Sequence, residues 1–128
     1  MQNAHELEAL AEFLIAEKAE VFDMGIWQCR SSVASCGFAG CAIGHLELVY
    51  PETGLRMVPD RNRYYRPFTN GLVTDDFSVV AEYFGITESE AHYLFDELSY
   101  EDRYPFQKTV GERILTFIRS KENEVKNK

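Results

Sequence analysis

Three glycines set into one apolar segment constrain this chain more than any other feature. They are Gly37, Gly40 and Gly44, within Cys36-Gly-Phe-Ala-Gly-Cys41-Ala-Ile-Gly-His45. A glycine in a helix interior costs roughly 1 kcal/mol against alanine. Three so close together make sense where another backbone approaches and leaves no room for side chains. Ser35 stands where an N-cap would, which predicts a helix with Cys36 in its first turn, running to about Leu48. Gly40 and Gly44 would share one face of it, and the segment would be the tightly packed central helix of the fold.

The rest of the chain also reads as helical. Leu7, Leu10, Ala11, Leu14 and Val21 recur at helical spacing, and Asn3 with Glu6 is placed like a capping box, predicting a helix over 4–20. Trp27, after the turn at Gly25, is expected as a core anchor rather than a ligand platform. Turn chemistry at Pro51 to Gly54 leaves residues 46–58 open to a short β-hairpin or a structured loop, and residues 59–73, with two prolines, read as loop. Thr74 can cap a helix carrying Phe77, Val80, Ala81 and Phe84, stopped by Gly85. Thr87-Glu-Ser-Glu90 and Thr109-Val-Gly-Glu112 are placed as capping boxes for two more helices. The charged tail from Lys121 should fray. The expectation is a mostly α single domain over 1–128, with about five helices, a helix-turn-helix-like hairpin and at most one β-hairpin.

Charge narrows the function classes. The chain has 21 acids against 13 Lys+Arg, a net charge of −8. That disfavours nucleic acid and anionic membranes as partners, because phosphate contacts need cations, and it suits a basic protein partner. No stretch approaches the roughly 20 apolar residues that span a bilayer. The N-terminus has no basic region followed by an apolar run, so a cytoplasmic location with reduced thiols is expected.

Ala81, Gly85, Ile86, Ala91 and Leu94 have the spacing of a DNA-binding helix-turn-helix. The charges oppose that use. Between Thr74 and Leu98 there are seven acids and no Lys or Arg, and Glu88 and Glu90 sit where a recognition helix would meet phosphates. An α-hairpin serving as scaffold is the better reading.

The cysteines admit several chemistries. Cys29, Cys36, Cys41 and His45 offer four soft ligands within the loose range of a three-Cys, one-His zinc site. On a regular helix, however, Cys36 and Cys41 would point about 140° apart, a poor fit to one tetrahedral ion. Cys36 at a helix N-terminus would have a lowered pKa and could act as a nucleophile. His45 would then lie roughly 13 Å away by helical rise, too far to serve as its base. A redox pair lacks the Cys-x-x-Cys spacing. Against all three stands packing, since free cysteine is among the most buried residue types. No cofactor is expected on that last reading, and zinc on the first.

Taken together, Phe22-Asp-Met-Gly-x-Trp27, Cys36-Gly-x-x-x-Cys41-x-x-Gly44-His45 and Ala81-x-x-Phe84-Gly-Ile-Thr-x-x-x-Ala91-x-x-Leu94-Phe95 resemble an uncharacterised family of small bacterial and bacteriophage proteins. The resemblance covers about two-thirds of the chain in the same order. In that pattern position 45 is often Trp, and nothing corresponds to Cys29, which counts against zinc and against a catalytic His45. The resemblance implies no activity. It implies a phage or mobile-element setting, where small acidic proteins often bind and inhibit host machinery.

Arg56, Arg61, Arg63 and Arg66 flank Tyr64 and Tyr65 in the one basic stretch before the tail. Arg and Tyr dominate interface hot spots, so this stretch is the candidate partner-binding site. The leading expectation is a protein-binding domain without catalytic activity. A cysteine-dependent enzyme using Cys36 comes second and a small zinc module third.

Overall fold

The structure, a computed structural model, describes residues 1–30, 38–61, 64–69, 76–102 and 105–126; the side chains of 29–30, 38–39, 60–61 and 125–126 are not described. Among the described residues there are five α-helices: α1 (Ala4–Ile15), α2 (Leu46–Val49), α3 (Asp76–Phe84), α4 (Glu88–Phe95) and α5 (Gln107–Lys126). Four strands, β1 (Gln28–Arg30), β2 (Phe38–Gly40), β3 (Arg56–Arg61) and β4 (Tyr64–Phe68), form one antiparallel sheet in the order β2-β1-β4-β3. The protein is mostly α, as its periodicity predicts.

The central helix expected from Ser35 to Leu48 does not form. Phe38–Gly40 pairs instead with Gln28–Arg30, and only then does the chain enter a 3-10 turn, Ile43–His45, that continues into α2. The glycines that weaken a helix also let this segment run against a neighbouring backbone. A Cβ on Gly40 would lie 2.5 Å from the Trp27 carbonyl oxygen, and one on Gly44 would overlap that same atom. The close partner that the glycines demanded is therefore the backbone at Trp27. The amide of Cys41 donates to the carbonyls of Ile26 and Trp27, and the buried Gln28 side chain donates to Gly44 O at 2.8 Å.

The hairpin begins later than expected. Residues 56–61 and 64–68, most of them read as loop, are β3 and β4, with a register shift between Pro59 and Arg61. The prolines misled because both sit where a missing N–H does no harm. Pro59 lies on the edge strand, and β1 reaches along β4 only to Tyr65, short of Pro67.

Several helix ends also differ from their signals. Asn3 and Glu6 form no capping box. Asn3 donates to Tyr83 O, and Glu6, buried in α1, accepts the Tyr83 hydroxyl at 2.6 Å. Helix α1 stops at Ile15 and the chain turns through Glu17 at φ 57. Thr109 lies inside α5 rather than capping it, because Gln107 anchors the helix start through two bonds to the Ala19 backbone. Gly111 instead lets Ala11 O of α1 pass close to α5, and α1 and α5 pair along the core. Lys121, where fraying is expected to begin, lies within α5. Its ammonium pairs with Glu90 at 2.5 Å, and α5 continues to Lys126. Thr87-Glu90 does form its capping box, and Gly85 makes the α3–α4 turn at φ 63.

The core gathers Leu7, Leu10, Leu14, Ile43, Leu46, Phe84, Leu94, Phe95 and Ile114, with Cys41 and His45 inside it. Replacing Gly44 by Ala should destabilise the domain by about 3 kcal/mol through overpacking, with Gly40→Leu comparable. An unchanged denaturation midpoint in both variants would refute the close approach at Trp27.

Candidate functional site

An open cleft of about 470 Å3 lies where the sheet meets the α3–α4 hairpin. The segment 24–27 forms one wall, Tyr64 and Tyr65 of β4 a second, and Phe77 with Phe95 a third; Cys41 reaches its floor, and Asp96 and Glu97 line it at the end of α4. The ring of Trp27 lies 4.9 Å from that of Phe77, and Phe77 stacks on His92 at 3.9 Å. Trp27 is thus packed against the core, as expected of an anchor, and also half-exposed on the cleft. Tyr64 is 43% exposed.

Carboxylates gather along one side. Asp96 meets His92 Nδ1 at 3.0 Å and also caps Leu98 N. Asp23 Oδ1 accepts the Gly25 amide, and both Asp23 Oδ1 and Glu97 Oε2 stand 3.1 Å from the position a Cβ on Gly25 would take. Two carboxylates therefore flank one glycine at the cleft wall. Among the described residues Glu97 has no ion-pair partner.

The residues singled out for cysteine chemistry are not brought together as the sequence suggested. Cys36 lies outside the described residues, and the helix whose dipole would activate it is replaced at 38–40 by strand. Cys29 belongs to β1, with its side chain not described. Burial pushes the Cys41 thiol up to about 12, with Asp23 adding to the shift, and its Sγ contacts Trp27 O at 3.6 Å. It is a protonated core thiol at neutral pH. His45 is fully buried, with Nδ1 bonded to Cys41 O at 2.8 Å, and burial lowers its pKa. The expected shared face of Cys41 and His45 becomes a side-chain-to-backbone bond. Among the described residues no group of three His, Cys, Asp or Glu side chains converges to hold a metal.

The arginine-tyrosine stretch divides. Arg56 pairs with Glu47 and donates to Pro51 O, while Glu47 also accepts the Met57 amide, so these groups clasp α2 to β3. Arg66 pairs with Asp76 at 3.9 Å, tying β4 to α3. Arg61 is in β3 with its side chain not described, and Arg63 lies outside the described residues. Tyr64 and Tyr65 reach the cleft. Sequence reasoning missed Trp27, Phe77, Asp96 and Glu97 as its companions. The signal was the periodicity of α3 and α4, which places Phe77 and Asp96 beside the strands only once the sheet is known.

Comparison with protein-family models, curated proteins and solved structures gives no match to this chain.

Two outcomes follow from burial. Cys41 should resist thiol reagents in the native protein at pH 7 and react on denaturation; fast native labelling would place it outside the core. The neutral His45 held by the fold makes stability full above the unfolded histidine value of about 6.5 and lost as pH falls below it. The fall in melting temperature from pH 7 to 5.5 should therefore be smaller in His45→Gln, and equal slopes would refute the assignment.

Proposed function

We propose that this domain works by binding a protein partner and catalyses no reaction. The observation that carries the reading is the aromatic cleft at the junction of sheet and helical hairpin. Half-exposed Trp27 and Tyr64 stand there beside Phe77, next to carboxylates. Aromatic side chains offer large contact area at low entropic cost, which is why they anchor interfaces. The cleft is of a size that holds a side chain with its flanking backbone.

The chemistry of the neighbouring groups supports binding over catalysis. Cys41 holds its proton, and His45 is sealed in the core. The acidic α3–α4 hairpin suits a basic protein surface and opposes nucleic acid. The phage or mobile-element setting implied by the sequence resemblance fits an inhibitor of a host protein.

Site-specific photocrosslinking tests this. With Tyr64 replaced by benzoylphenylalanine, the protein should form one dominant adduct in host lysate, absent when Arg119 on α5 carries the probe. The captured protein, once identified and purified, should bind the parent chain directly and lose at least about tenfold affinity toward Trp27→Ala. Adducts identical at both positions, or unchanged affinity in Trp27→Ala, would place the interface elsewhere or remove it.

A further inference from the structure

We propose that the cleft receives an arginine side chain of the protein partner, its guanidinium lying between the aromatic walls and the carboxylates of Glu97 and Asp96. The inference rests on the protein-binding reading and adds the chemistry of what is bound.

Three observations point to a cation of this shape. The first is the lining. Trp27, Tyr64 and Phe77 all border the opening, and the ring faces of aromatics carry negative potential that attracts cations within about 6 Å, tryptophan most strongly. The second is the placement of negative charge. Asp96 and Glu97 line the cleft side by side, and Glu97 Oε2 and Asp23 Oδ1 each stand 3.1 Å from the place a Cβ on Gly25, itself in the cleft wall, would take. Carboxylates along one edge add to the local negative potential, which favours a cation there. Asp96 shares its charge with His92, whereas Glu97 pairs with no cation among the described residues and is half-buried on the cleft. The third is that the acids are strung along an edge instead of closing on one point. No three of the described His, Cys, Asp or Glu side chains form a metal-binding group. The charge is spread along the edge of a cleft that is also lined by flat rings, which matches a planar, delocalised ion better than a compact one.

Arginine fits these features for a physical reason. Its guanidinium stacks on aromatic faces, forks to a carboxylate through two parallel N–H bonds, and is more weakly hydrated than an ammonium. Entering a half-enclosed aromatic cleft therefore costs it less desolvation. The same protein already holds one such arrangement internally. The Arg113 guanidinium lies 3.7 Å from the Tyr100 ring centroid and 4.4 Å from that of Tyr93.

Trp27 is the single tryptophan of the chain and lines the cleft, so its fluorescence reports occupancy directly. The full-length protein would be titrated with Nα-acetyl-arginine amide and with Nα-acetyl-citrulline amide, which has the same shape without the charge. The amide resonances of Gly25 and Trp27 would be followed in parallel by NMR. A saturable response to the arginine compound, at least about fivefold weaker for citrulline, supports the proposal, a factor equal to about 1 kcal/mol. Glu97→Gln, with its melting temperature unchanged, should weaken arginine binding by a similar factor, and raising salt should weaken it further. Equal binding of citrulline, an unaffected Glu97→Gln variant, or no saturable response in either readout would overturn it. Equal citrulline binding removes only the cationic assignment; the photocrosslinking result decides separately whether the cleft binds protein at all.

Discussion

The approach of two chain segments at the Trp27 carbonyl holds the sheet to the helical core. Gly40 and Gly44 come close to that oxygen from one side, leaving no space for a Cβ at either position. The Cys41 amide and the Gln28 side chain then tie the two segments together by hydrogen bonds. From this junction β2 and β1 extend into the sheet, while Ile43, His45 and Leu46 turn inward and are sealed in the core. Interiors packed this densely tolerate little added volume.

A second, polar junction closes the other side. The Tyr83 hydroxyl donates to buried Glu6 of α1 and accepts bonds from Thr53 and from the Gly54 amide. One phenol thereby joins α1, the 50–55 turn and α3. A buried carboxylate without such a partner would be costly. Burial raises the Tyr83 pKa, Glu6 adding to the effect, so the proton that bridges the pair stays in place well above neutrality.

Legibility in the sequence followed the range of the interactions. Helices α3 and α4, with the Gly85 turn and the Thr87 capping box, are specified by residues a few positions apart, and the sequence shows them plainly. Gly40 and Gly44 announced a close backbone, yet they did not reveal whether a helix or a strand would make the approach. That choice depends on pairing with Gln28–Arg30, which no local propensity encodes. Asn3, Glu6 and Thr109 matched local capping patterns but were drawn into contacts or helix interior set by tertiary packing. The cleft was half visible, through Tyr64 and Tyr65. Its remaining walls come from 24–27 on one side of the chain and from Phe77 and 95–97 on the other, and they become neighbours only after folding.

The anchoring of Trp27 has one more consequence. Its carbonyl is clamped by glycine-lined backbone on one side, and its indole rests against Phe77, itself stacked on His92. The ring is thus already ordered before anything binds. An incoming group need not freeze a mobile tryptophan, a step that costs other interfaces roughly 0.5–1.5 kcal/mol per immobilised side chain. Such preorganisation lets a cleft of modest size discriminate by shape rather than by extent, and the side chains missing at Gly40 and Gly44 are what hold the tryptophan's backbone in place.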